Sequence, residues 1–453
     1  MRLRRTQHRH LYGFAGSLLV YGLVCFGDAP KPLTVFPSVF HFGDAMDILS
    51  QLSSHDRWQQ FLAYKKDSGH LPPQEEQELT AFIEEKRYLP VVHRIVSGES
   101  FAPPRRSAIS KMSSQKKRIV YTYSPDENWV LKFMTHLLLR KYDHLFSKNL
   151  YSFRAGKSVK DAVKYLTHAK GIRQMWSYKA DISNYFNSIP VSKLLPMLET
   201  ALADEPDLFR FLSGLLTNPT VNDRGTLIEE SDKGIMAGTP FSTFLANLYL
   251  SPLDDLFSSK NRIYARYSDD IILFSPTQDG LEQDISTLHN YLLQSGLSLN
   301  PTKECRTTPE EPWTFLGFSF QNGEIDIAPA SIEKLKGKMR RKTRALMRWK
   351  SRKKKDGTQA ARAFIKTFNR KLLESSLEHD LSWALWYFPT ITTAKSLHVI
   401  DEYAQSCIRY LATGTHTKAA YNFRYEDMKN LGYVSLVNRY YAAMKAKPTN
   451  ISE

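Results

Sequence analysis

Arg262-Ile-Tyr-Ala-Arg-Tyr-Ser-Asp-Asp-Ile-Ile-Leu-Phe-Ser275 reads as two short apolar runs that meet at an acidic pair. Ile263, Ala265 and Tyr267 alternate before the pair, and Ile271 to Phe274 run on without a polar residue after it, as in strands of a covered sheet. The stretch is therefore a hairpin with Asp269 and Asp270 at its tip. Two adjacent carboxylates repel each other and are costly to bury without a partner. Magnesium takes oxygen ligands, commonly one or two carboxylates plus substrate phosphates, so the tip is half of a candidate phosphoryl-transfer site. An Asp-Asp tip is also an ordinary solvated turn, and the neighbouring segments decide between the two.

The chain has 453 residues, enough for two to four lobes. Its 62 basic against 46 acidic residues leave a net charge of +16, which suits a polyanionic partner such as nucleic acid. Cys25, Cys305 and Cys407 are few and far apart, so spacing supports neither a disulfide framework nor a zinc site, and a cytoplasmic setting is expected. Leu11 to Phe26 is apolar behind Met-Arg-Leu-Arg-Arg, yet it is short for a membrane span and lacks a small-x-small cleavage site, so a membrane role is not expected.

From Ala45 to Pro104 the pattern is helical, with a break at Pro72-Pro73 and a boundary at Pro103-Pro104-Arg105. Lys116-Lys-Arg-Ile-Val-Tyr-Thr-Tyr123 leads three cations into a strand, where Lys117 and Arg118 could hold a triphosphate; lysines also protect solvated edge strands. Tyr151-Ser-Phe-Arg-Ala-Gly-Lys-Ser158 contains Gly-Lys-Ser, but Tyr at 151 replaces the first glycine of a phosphate loop; Arg154 and Lys157 still put charge near a helix start. Trp176-Ser-Tyr-Lys-Ala-Asp-Ile-Ser-Asn-Tyr-Phe-Asn-Ser-Ile-Pro190 begins as a strand and breaks after Asp181. Beside the hairpin, Asp181 would complete a three-carboxylate cluster able to hold two magnesium ions about 4 Å apart. Gly234-Ile-Met-Ala-Gly-Thr-Pro240 then opens a helix with apolar positions at Phe241, Phe244, Leu245, Leu248 and Tyr249. Between Lys334 and Lys355 thirteen Lys or Arg accompany a stripe of Ile332, Leu335, Met339 and Leu346.

The order of these segments over roughly residues 105–325 resembles the reverse transcriptases of bacteria, those of group II introns and retrons. The specific matches are Tyr-Phe-Asn-Ser-Ile after Asp181, Phe-Leu-Ala-Asn-Leu-Tyr-Leu after Thr243, and Tyr-Ser-Asp-Asp. The resemblance implies an α+β right-hand polymerase: an N-terminal extension over 1–104, fingers over 105–175, a palm over 176–328 with a fingers insertion at about 190–230, and a helical thumb over 329–453. It implies two magnesium ions on Asp181, the Ile182 carbonyl, Asp269 and Asp270, and Lys303 as the general acid toward departing pyrophosphate. Lys117, Arg118, Phe186, Ala237 and Gly238 would meet the incoming nucleotide, with the Phe186 ring excluding a ribose 2′-hydroxyl. Arg154 and the thumb cations Lys338, Arg341 and Arg344 would meet nucleic acid.

The implied partners are an RNA template, deoxynucleotides and a DNA product, with a homo-oligomer or accessory protein left open. One departure stands out: Met236-Ala237 replace the family's Pro-Gln before the glycine, removing a glutamine that touches the nucleotide. No Cys/His endonuclease module accompanies the polymerase segments, and a stand-alone enzyme copying a dedicated noncoding RNA in antiviral defence is the expectation. Its competitors are a retron or intron enzyme, an RNA-dependent RNA polymerase and a noncatalytic RNA-binding protein.

Overall fold

The computed structural model describes residues 46–68, 71–110, 117–260, 262–374 and 383–446. The apolar stretch 11–26, and Cys25 within it, lie outside them. Four helices come first: α1 (Ile48–Ser53), α2 (His55–Asp67), α3 (Pro73–Glu84) and α4 (Tyr88–Val96). Asp47 and Ser54 cap the first two by accepting the Ser50 and Arg57 N–H, and Pro73 opens the third, where its missing N–H costs nothing. They pack their apolar faces around Trp58, which contacts Phe61, Phe82, Tyr88 and Phe133.

Strands β1 (Arg105–Ser110) and β2 (Lys117–Thr122) pair antiparallel and precede α5 (Pro125–Lys141). Ser124 and Glu127 close a capping box on α5, which is buried along most of its length. Next come α6 (Val159–Thr167) and β3 (Trp176–Asp181), the strand that the Asp181 segment predicts, then α7 (Tyr185–Ser188), α8 (Val191–Ala201) and α9 (Pro206–Thr217). The short strands β4 (Thr220–Asp223) and β5 (Thr226–Glu229) return to the first sheet in the order β2-β1-β4-β5, with β4 parallel to β1.

After α10 (Ser242–Tyr249) and α11 (Ser251–Ser259) follow the hairpin strands β6 (Ile263–Tyr267) and β7 (Asp270–Ser275), α12 (Gln278–Gln294) and β8 (Cys305–Thr307). The second sheet has the order β6-β7-β3-β8 and is antiparallel throughout. Both of its faces are covered: Ile271 and Leu273 enter one apolar cluster with the N-terminal helices and α5, while Ile272 and Phe274 enter another with the C-terminal helices. Burial on both faces is why the run 271–274 carries no polar residue.

Trp313 to Phe320 forms two strands, because Leu316 and Gly317, both at positive φ, turn the chain. Strands β9 (Trp313–Phe315), β10 (Phe318–Gln321) and β11 (Glu324–Ile327) form a third antiparallel sheet. The chain then becomes helical: α13 (Pro329–Lys353), α14 (Gly357–Leu372), α15 (Trp383–Tyr387), α16 (Lys395–Thr413), α17 (Tyr425–Asn430) and α18 (Leu436–Lys445). The architecture is of the α+β class expected. Among the described residues no helix is long and apolar enough to cross a membrane.

Candidate active site

Sheet register brings the acidic residues together. Asp181, the last residue of β3, lies opposite Asp270, the first of β7. Asp269 sits in the β6–β7 turn beside them, and its carbonyl accepts the Ile182 N–H at 3.0 Å. Segment 298–303 closes the other side: Ser183 N–H donates to Ser298 O, Asn300 N–H donates to Asp181 O, and the Lys303 ammonium donates to Asp181 Oδ1 at 2.6 Å.

The carboxylates feel one another. Burial, then the Asp269 charge, pushes Asp270 up to about 7, with Asp181 adding to the rise and Lys179 and Lys303 opposing it. Burial and then Asp181 raise Asp269 as well, against Arg118 and Lys303. Among the described residues no three His, Cys, Asp or Glu side chains are gathered closely enough, as placed, to hold a metal ion. The donor set still suits one: it is all oxygen, sits at one strand edge, and is costly to ionise without a neighbouring cation. Lys303 supplies part of that positive charge now, and its side chain, 52% exposed, has room to move off Asp181.

The segment 234–239 lies between α7 and β2. Ile235 N–H donates to the Phe186 carbonyl, Ala237 N–H donates to Asn187 Oδ1, and the Ala237 carbonyl accepts the Tyr121 N–H at 2.8 Å. Gly238, at φ +107°, has no room for a side chain, since a Cβ there would stand 2.8 Å from Tyr121 O. Gly234, at φ +56°, is as confined against Phe186 and Asn187. The position where the family carries glutamine is thus held by its backbone from both sides. Phe186 is buried with its ring edge-on to Tyr185, and Arg118 on β2 is near enough to lower the pKa of Asp269. Lys117 is exposed at the start of the same strand.

Arg154 corrects the expectation made for it. Its guanidinium is buried, donating to both Asp143 oxygens at 2.7 and 2.8 Å and to the Ser147 and Leu150 carbonyls. With its donors engaged inside the protein it is a brace for residues 143–154, not a nucleic-acid contact. Lys338, Arg341 and Arg344 are exposed, three residues apart, along α13. Burial and then the neighbouring Lys371, Arg341 and Lys334 lower the pKa of Lys338, a sign of crowded cations. Other cations of that helix serve the fold: Arg340 donates to the Tyr403 hydroxyl and Lys350 to the Leu411 carbonyl.

Several residues behind the acidic tip escape the sequence patterns. Arg266 and Asp254 are wholly buried and paired, and Tyr264 donates to the same carboxylate. Asn187 joins β2 to segment 234–239 by also donating to the Ile119 carbonyl. Arg266 did leave a signal: an arginine between alternating apolar residues, in a strand covered on both faces, requires a buried acid.

The family model described as "Reverse transcriptase (RNA-dependent DNA polymerase)" matches residues 109–320. The chain is 32% identical over 165 residues to the "Uncharacterized 91 kDa protein in cob intron" of Schizosaccharomyces pombe, covering 35% of this chain and 19% of that protein. It is 33% identical over 88 residues to "Polyprotein P3" of Commelina yellow mottle virus, covering 19% of this chain and 5% of the polyprotein. This chain therefore spans less than a fifth of either relative's length. Among solved structures, telomerase from Candida tropicalis in complex with a TWJ fragment of telomeric RNA is similar at a TM-score of 0.44 and 13% identity, covering 73% of this chain and 64% of that one. Apo telomerase of the same organism gives 0.43 and 11%, with 73% and 60% covered. The family match contains β3, the β6–β7 hairpin and all three carboxylates, and residues 109–320 form a reverse transcriptase domain.

Proposed function

We propose that the chain is an RNA-directed DNA polymerase that adds deoxynucleotides to a primer 3′-end at the edge formed by β3 and β7. The observation that carries this reading is the register pairing of Asp181 with Asp270, with Asp269 in the adjoining β6–β7 turn. Fingers over 105–175, palm over 176–328 and thumb over 329–453 are the proposed division.

Asp181, Asp269 and Asp270, with the Ile182 carbonyl assisting, would hold two magnesium ions; when bound, these supply a more acidic primer hydroxyl and neutralise charge on pyrophosphate. The chain's own groups do the rest. Arg118 and Lys117 bind the triphosphate, and Ala237 and Gly238 let the new base pair approach the backbone. The Phe186 ring excludes a ribose 2′-hydroxyl. Lys303 hands a proton to the departing pyrophosphate oxygen, for which its ammonium must leave the Asp181 carboxylate it now touches. Lys338, Arg341 and Arg344 bind duplex phosphates.

The template reading is a dedicated noncoding RNA copied in bacterial antiviral defence, with the protein in the cytoplasm; it rests on the Met236-Ala237 departure. A second reading, an intron-type enzyme whose template is its host RNA, is favoured by the identity to the fission-yeast intron protein. Primer extension on an RNA template with deoxynucleotides tests the common core. Asp269→Asn with Asp270→Asn should lower incorporation at least about a hundredfold, and unchanged incorporation would rule the site out. Sequencing the nucleic acid that co-purifies separates the two templates.

A further inference from the structure

Ser268, the residue just before the acidic pair, has φ +58°, a conformation that a residue other than glycine keeps only when its surroundings hold it. Both of its backbone polar groups are held. Its N–H donates to Ser152 Oγ at 2.9 Å, and its carbonyl accepts from Arg266 Nη1 at 3.2 Å. Each partner is fixed in turn.

Ser152 Oγ donates to Asn247 Oδ1 at 3.1 Å, and Asn247 Nδ2 donates back to the Ser152 carbonyl at 2.9 Å. Arg266 spends Nε and Nη2 on the two Asp254 oxygens at 2.8 and 2.6 Å. Segment 149–151 lies against β6: Arg266 N–H donates to Asn149 O and Tyr151 N–H to Arg266 O, both at 3.0 Å, which sets Ser152 in register with Ser268. Ser152, Asn247, Arg266 and Asp254 are all buried, so water does not replace any of these bonds cheaply.

We propose that Ser152 is a positioning residue: its hydroxyl, oriented by Asn247, locks the left-handed Ser268 and so fixes where Asp269 and Asp270 present their oxygens. The proposal rests on the polymerase reading for its kinetic consequence but not for its structural one. It gives the Tyr-Ser-Phe-Arg turn a purpose unlike the phosphate-loop reading, with Arg154 bracing the same turn from within.

The test compares wild-type protein with Ser152→Ala in three measurements: amide exchange of the peptide containing Ser268, Mn2+ binding followed by electron paramagnetic resonance without substrate, and primer extension. Faster exchange, weaker Mn2+ binding and about tenfold lower turnover, the effect of roughly one hydrogen bond on a barrier, are expected with an unchanged KM for nucleotide. Ser152→Thr, which keeps the hydroxyl, should restore turnover. Should Ser152→Ala fail to fold, Ser152→Cys, of similar size and a weak acceptor, reports the same quantities. Wild-type exchange and Mn2+ binding in the variant would overturn the proposal even if turnover fell. If wild-type protein itself extends no primer, the polymerase reading fails, and the first two measurements still decide the clamp.

Discussion

Asp270 is the residue whose chemistry is most exposed to test. Its carboxyl titrates near 3.8 when free and at about 7 in the fold. Between those values the folded protein holds a proton that the unfolded chain has lost, so without divalent cations stability should fall as pH rises from about 4 to 7. A cation shared by the three carboxylates reverses the penalty. Mg2+ should therefore raise the melting temperature more at pH 8 than at pH 5, and an equal shift at both would mean that the carboxylates share no cation. At this scale the sequence was legible where a residue's role follows from type and local pattern. Asp181 ends a strand because its own neighbours alternate and then break. Arg154 misled because its partners, Asp143, Ser147 and Leu150, are chosen by how the turn folds back, and a charge beside a glycine reads the same whether it faces in or out. Asn187 was unreadable for a similar reason: its partners lie on two other segments, at Ile119 and Ala237.

Among the elements, the loop 234–239 is tightly confined, and its glycines carry a sharp expectation. Gly238→Ala would put a methyl 2.8 Å from the Tyr121 carbonyl at φ +107°. The change should cost about 1–3 kcal/mol in denaturant melts and raise the KM for nucleotide by displacing Ala237 from β2. A variant with wild-type stability and KM would show that the loop tolerates movement. The hairpin, the helices and the basic stripe of α13 were legible because their signals are periodic and local. The reversal at Leu316-Gly317 is less plain from periodicity alone, since aromatic alternation continues across it. The union of β4 with β1 was also unreadable, because parallel pairing leaves no mark in either short strand.

Over the whole molecule, charge is the property with the longest reach. A net charge of +16 with a crowded row of cations on α13 predicts steep salt dependence of nucleic-acid binding. Replacing Lys338, Arg341 and Arg344 together with Ala should reduce the slope of log K against log salt by about 2–3, read by fluorescence anisotropy on a primer–template duplex. An unchanged slope would assign the binding surface elsewhere. The sheet order β6-β7-β3-β8 has a further result for synthesis. As the polypeptide leaves the ribosome, β3 emerges before both strands that will flank it. Its Trp176, Tyr178 and Ala180 face joins the apolar core when finished, so the nascent chain carries a sticky ribbon with two bare edges until the hairpin arrives. Slow translation between β3 and β7 should therefore favour self-association, and a chaperone that shields extended apolar segments should raise the soluble yield.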